Sequence, residues 1–124
     1  MKLGRERDTQ RAILEYLRLT GCLAVRTNAG LIVLTDKQGQ RRAFHGATPG
    51  TSDILACVPP YGRMLAVEVK GPKGHLTQSQ SDFLVNVVRL GGVALVARNL
   101  DDVKVAVQRA KQPPLAPQLG QAYR

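Results

Sequence analysis

Hydrophobic and polar positions follow two different periods along this chain. From about Glu6 to Leu19 the period is helical: Ile13, Leu14 and Leu17 share a face, and Gly21 supplies a stop. Short strand-like runs come next, "LAVRT" and "LIVLT" separated by "NAG", then "RRAFH" after the turn-like "DKQGQ". Two more runs, "ILACV" and "MLAV", flank "PPYG" and predict a hairpin. The stretch "LTQSQSDFLVNVVRLGG" returns to helical spacing. Thr77 is placed as its N-cap, Phe83, Leu84, Val87 and Val88 form its apolar face, and Gly91-Gly92 ends it. "VALVA", from Val93 to Ala97, is apolar throughout, as expected of a strand covered on both faces. "NLDDVKVAVQRAK" predicts a last helix started by Asn99 or Asp101.

These elements predict an α/β fold, with a central mixed β-sheet flanked by helices in α-β-β-β-α-β-α order. A chain of 124 residues suits one domain with a modest core. The domain is expected to span residues 1–111. From Gln112 onward, "QPPLAPQLGQAYR" has little periodicity and three prolines, and residues 112–124 are expected to form a tail.

The predicted hairpin carries charges that burial alone does not explain. In "MLAVEVK", Leu65, Val67 and Val69 share one face, and Ala66, Glu68 and Lys70 the other. In "SDILACV", Asp53, Leu55 and Cys57 share a face opposite Ile54, Ala56 and Val58. If Pro59 to Gly62 form the loop, Val58 pairs with Arg63 and Asp53 lies opposite Glu68, at a Cβ separation of about 4.5–5.5 Å. A loop one residue longer would face Asp53 with Val69 instead. Like charges so close need an offset: a shared proton, the ammonium of Lys70, or a divalent cation such as Mg²⁺ held by oxygen ligands. An Asp capping a turn and a surface Glu-x-Lys pair are the alternatives without chemistry.

Two other polar residues fall in line with core stripes. On the first helix Glu6, Gln10, Ile13 and Leu17 cluster on one face, whereas Asp8 points nearly opposite. Glu6 is therefore the third candidate acid, provided the helix starts before it; a cap at Asp8 or Thr9 would leave Glu6 outside. Gln80 lies one turn before Phe83 and Leu84, yet Thr77-x-x-Gln80 is also capping-box spacing.

Charge narrows the class of partner. Lys and Arg number 18 against 9 Asp and Glu, a net charge of +9, which favours a polyanion and most simply nucleic acid. With three Tyr, two Phe and no Trp, binding of single strands through stacked aromatic faces is disfavoured. Cys22 and Cys57 lack metal-ligand spacing and are expected to be buried, reduced thiols. The N-terminal "MKLGRERDTQR" shows no apolar signal segment, so a cytoplasmic protein without a membrane partner is expected.

With these residues in view, the sequence resembles the VRR-NUC domain, a branch of the PD-(D/E)XK nuclease superfamily. The resemblance runs from about Glu6 to Val107 through "ERDTQRAILEYL", "VRTNAG", "PGTSDIL", "LAVEVKGP", "LTQSQ" and "GGVALVAR". It is similar to the compact stand-alone members of bacteria and phages. What it implies is a restriction-endonuclease-like core and a nuclease dependent on Mg²⁺ or Mn²⁺. Asp53 matches the family's metal-binding Asp, Glu68 and Lys70 its E-x-K, Gln80 its helix glutamine and Glu6 its helix-one acid. The backbone carbonyl of Val69 would complete the metal shell. The superfamily's "PD" dipeptide is absent, since Pro49 stands well before Asp53. The resemblance further implies a homodimer acting on branched DNA such as Holliday junctions.

The expected activity is thus structure-selective endonucleolytic hydrolysis of DNA. Arg26, Arg41, Arg42, Lys73 and Arg98 are the candidates for contacts to the DNA backbone. The competing expectation is a non-catalytic, basic DNA-binding or assembly module on the same fold. Retention of both acids and the lysine argues for the enzyme.

Overall fold

The computed structural model describes residues 4–28 and 31–114. Helix α1 (Gly4–Leu19) opens the fold and is followed by strand β1 (Leu23–Arg26). Strands β2 (Leu31–Thr35) and β3 (Arg41–His45) come next, then β4 (Ile54–Val58) and β5 (Arg63–Val69). Helix α2 (Gln78–Arg89), strand β6 (Val93–Ala97) and helix α3 (Leu100–Ala110) complete it. The last ten residues of the proposed tail lie outside the described residues.

The central sheet has the order β1-β4-β5-β6. β4 pairs antiparallel with β1 on one side and β5 on the other, whereas β6 joins β5 in parallel, as the intervening α2 crossover allows. β2 and β3 pair only with each other, in a separate two-stranded sheet. The α-β-β-β-α-β-α order therefore holds for the central sheet and its helices, with the β2–β3 hairpin inserted after β1. Asp36 closes that hairpin, accepting from the amides of Gln38 and Gln40 at 2.9 and 2.8 Å.

Alternation along the strands sorts their side chains into two layers. Ile54, Ala56 and Val58 of β4 and Leu65, Val67 and Val69 of β5 face α1 and α3, packing with Ile13, Leu17, Val103 and Val107. Ala66 of β5 and the half-buried Leu55, Ala94 and Val96 face α2 through Leu84, Val87 and Phe83. The apolar β6 is covered on both faces, as predicted, because Val93 and Ala97 go to the first layer and Ala94 and Val96 to the second.

Two expectations need correction. Val88 is 57% exposed, not part of the buried face. α2 meets the sheet along a narrow stripe through Leu84 and Val87, and Val88 is rotated past it. Cys57 is exposed, unlike the buried Cys22. It sits in a row with its register partners Leu23 and Met64, both exposed.

Local sequence explains the element ends. Thr77 caps α2 in a full capping box, and the Asn99 side chain caps α3 by accepting from the Asp102 amide. α1 and α2 both end in a Schellman motif: Cys22 N–H bonds Leu17 O and Gly21 N–H bonds Arg18 O, a pattern repeated by Gly92 on Val87 and Gly91 on Val88. Gly21 and Gly91 take the positive φ, 90° and 101°, that this motif requires. Among the described residues, no helix is long and apolar enough to cross a membrane.

Candidate active site

The β4–β5 hairpin builds the centre of the site. Its loop is Pro59 to Gly62, with a cis peptide between Pro59 and Pro60, and Val58 pairs with Arg63. The register runs through to Ile54 opposite Val67, so its continuation sets Asp53 opposite Glu68. Asp53 stands one residue before β4 and is tied down on both sides. Its carbonyl accepts from the Thr27 amide at 3.0 Å, and its Oδ2 accepts from the Val69 amide at 2.7 Å. That last bond spans the two strands and fixes the Asp53 carboxylate beside the end of β5.

Glu68 is 1% exposed, a heavy burial for a carboxylate. Such a group is costly to bury without hydrogen bonds and a counter-charge. Both are present: Gln80 Nε2 donates to Glu68 Oε1 at 3.1 Å, and Lys70 Nζ lies 3.7 Å from the same oxygen. The Lys70 side chain is 14% exposed, so its ammonium stands in a partly desolvated cleft rather than in bulk water.

Gln80 does two things at once. Its Oε1 accepts the Thr77 amide at 3.0 Å in the capping box, while its Nε2 serves Glu68. The two alternatives drawn from the sequence are therefore both realised by one amide, which has an acceptor for the helix end and a donor for the acid.

α1 begins at Gly4, so Glu6 lies within its first turn and Asp8 is exposed on the far face. Glu6 Oε1 accepts from the Gly71 amide at 2.9 Å, joining α1 to the loop after β5. A Cβ on Gly71 would stand 3.1 Å from that oxygen, so a larger residue there would need the Glu6 carboxylate to shift by a few tenths of an ångström. Gly50 has a stricter reason: with φ of 93°, its missing Cβ would lie 2.6 Å from the Ser79 carbonyl, so the 48–51 turn can press against the start of α2.

Glu6, Asp53, Glu68, Lys70 and Gln80 all line one cleft of about 590 Å³. Its polar wall also includes Arg7, Gln10, Arg26 and Asn28. Arg7 and Gln10 escaped the sequence reading as site residues. For Gln10 the signal was present, since it shares the helical face of Glu6; for Arg7 nothing in the local pattern marks it.

The donor chemistry fits a hard divalent cation. Asp53 and Glu68 offer carboxylate oxygens in one cleft, and Mg²⁺ is commonly held by one or two carboxylates with water and phosphate oxygens. Glu6 lines the same cleft as a third acid. Among the described residues no three His, Cys, Asp or Glu side chains are grouped so as to hold an ion, and Glu6 bonds Gly71.

The basic candidates separate. Arg26 lines the cleft, and Arg41, Arg42 and Lys73 are exposed, the first two on β3. Arg98 is exposed too, but its guanidinium bonds the carbonyls of Gly71 and Gly74, the latter at 3.1 Å. It clasps the loop that follows Lys70.

A mixed four-stranded sheet, two helices on one face and one on the other, with Asp, Glu and Lys at one end of its central hairpin, defines a restriction-endonuclease-like core. The family model described as VRR-NUC domain matches residues 32–99, more than half of the chain. The chain belongs to the VRR-NUC domain family, and its core is a nuclease-type DNA-processing domain. No curated protein matches it. The matched segment contains Asp53, Glu68, Lys70 and Gln80, whereas Glu6, Arg7, Gln10 and Arg26 precede it.

Proposed function

We propose that this chain is a divalent-metal-dependent, structure-selective DNA endonuclease that hydrolyses phosphodiester bonds of branched DNA such as Holliday junctions, working as a homodimer. The observation that carries the reading is the fastening of two carboxylates, a lysine and a glutamine in one cleft by the Val69–Asp53, Gln80–Glu68 and Lys70–Glu68 contacts. A binding module would need the positive surface but not a buried acid braced in this way.

In this reading Asp53, Glu68 and the Val69 carbonyl hold Mg²⁺ or Mn²⁺. Bound there, such an ion supplies a polarised phosphoryl oxygen and a water acidic enough to ionise near neutral pH. The Lys70 ammonium steadies the negative charge that gathers on the phosphoryl oxygens as the water attacks. Gln80 keeps the Glu68 carboxylate oriented, and Glu6 keeps the Gly71 loop against α1 so that Lys70 stays in place. Arg26, Arg41, Arg42 and Lys73 contact the backbone of the DNA, which fixes its orientation without reading sequence. Preference for branches comes from shape and from two active sites set apart by dimerisation.

The direct test is incubation of the purified protein with nicked, flapped and four-way DNA, with and without Mn²⁺. Paired, symmetric cuts near the four-way centre are expected, and only with the metal. Intact substrates in every metal condition would leave only a DNA-binding module.

A further inference from the structure

Gln10 is 6% exposed, one of three buried polar or charged residues described, with Ser52 and Glu68. It sits one helical turn after Glu6 and one turn before Ile13, which belongs to the core. It nevertheless lines the cleft, together with Arg7 and Arg26. Among the described residues no hydrogen bond reaches its carboxamide. Its amide atoms are not among the enclosed, unpartnered side-chain atoms of the described residues, so the carboxamide opens onto the cleft while its stem packs beside the core. A donor whose stem is held by the core and whose amide faces the cleft is placed to meet a ligand there.

The chemistry of its neighbours indicates what it serves. Arg7 is three residues earlier on the same helix, close enough for the two side chains to meet one ligand. Arg26, from the end of β1, lines the same cleft. Two guanidinium groups and the N–H donors of one amide make this part of the cleft donor-rich and positive across from Asp53 and Glu68, while the neighbouring Glu6 carboxylate is turned to the Gly71 amide. Phosphate oxygens are the matching acceptors, and Arg meets them with paired donors.

We infer that Gln10, Arg7 and Arg26 form a phosphate subsite that takes a second phosphodiester of the strand lying over Asp53 and Glu68. The strand therefore crosses the cleft from the β5 end toward the first two turns of α1. The identity of the polymer rests on the nuclease reading; the subsite itself requires only a polyanionic strand.

The test compares wild type with Gln10→Met in EDTA, by fluorescence anisotropy of a labelled short DNA duplex and by thermal unfolding. Loss of one hydrogen bond to a charged phosphate should weaken binding about tenfold. The melting temperature should stay within about 4 °C of wild type, which shows that the variant is folded. The salt slope of binding should stay constant in Gln10→Met and fall by about one in Arg7→Gln. Unchanged affinity in Gln10→Met overturns the subsite. Should that variant not fold, the side-chain amide signals of Gln10 in ¹⁵N-labelled wild type decide: they move on adding duplex, or the proposal is wrong. No readout here needs cleavage, so a wild type that binds but never cuts refutes the nuclease while leaving the subsite standing.

Discussion

Gln80 donates to Oε1 of Glu68 at 3.1 Å, while its own carbonyl oxygen caps the first turn of α2 through the Thr77 amide. The placement of the buried acid and the start of the helix are thereby mechanically joined. α2 carries Leu84 and Val87 onto the sheet, so packing of that layer fixes where Gln80 stands.

That joint separates two substitutions that look alike for stability. Thr77→Ala removes the hydroxyl that accepts from the Gln80 amide and should cost about 1 kcal/mol in urea unfolding. It leaves the Gln80–Glu68 bond, so single-turnover cleavage should stay within about threefold of wild type. Gln80→Ala should destabilise by a similar amount and also slow cleavage about a hundredfold. Equal rates in the two variants would show that Gln80 serves the helix end alone.

Asp53→Asn and Lys70→Ala test the chemical step apart from binding. Asn keeps an oxygen for the Val69 amide, so the hairpin should hold its register while losing a charge. Both variants should cut at least about a hundredfold more slowly, since each removes charge aimed at the reacting phosphate. Anisotropy with four-way DNA in EDTA should change less than about threefold, because the backbone contacts are elsewhere. Parallel losses of affinity and cleavage would assign these residues to holding DNA.

Where pattern and chemistry are local, the sequence is nearly sufficient. The Pro59–Gly62 loop and the alternation on either side of it determine the β4–β5 register, and with it the meeting of Asp53 and Glu68. Thr77, Gly91 and Asn99 announce the ends of α2 and the start of α3 for the same reason. What the local pattern lacks is partners. It marks β2 and β3 as strands, but not that they leave the central sheet and let β1 pair with β4. The face of Cys57 is readable, but its exposure depends on what packs over that face, where its register partners Leu23 and Met64 are exposed too. The same limit hides the two carbonyls that Arg98 holds 24 and 27 residues away. Glu6 is ambiguous in the sequence because Asp8 and Thr9 are good cap residues that follow it, whereas α1 starts at Gly4.

Arg98 and Arg26 should behave differently although both are exposed arginines near the cleft. Arg98→Ala frees the loop after β5 and should cost about 1–2 kcal/mol of stability through two lost hydrogen bonds. Its salt slope for duplex binding should match wild type. Arg26→Ala should leave unfolding within about 0.5 kcal/mol of wild type and reduce the slope by about one. An Arg98→Ala slope lowered as much as that of Arg26→Ala would place the Arg98 guanidinium on the DNA instead.

Thermal unfolding with added metal tests which acids form the ion's site, independently of cleavage. An ion that binds only the folded chain stabilises it, by about 2.7 kcal/mol at a hundred times its Kd. Titrating Mn²⁺ into wild type should therefore raise the melting temperature in proportion to the logarithm of its concentration. Asp53→Asn and Glu68→Gln should abolish that rise, because each removes one of the two carboxylate charges that line the cleft together. Glu6→Gln should keep it: Glu6 is occupied with the Gly71 amide, and a glutamine oxygen can accept the same bond. A rise that vanishes in Glu6→Gln as well would mean that α1 swings its acid onto the ion, and that the Gly71 bond breaks when metal arrives.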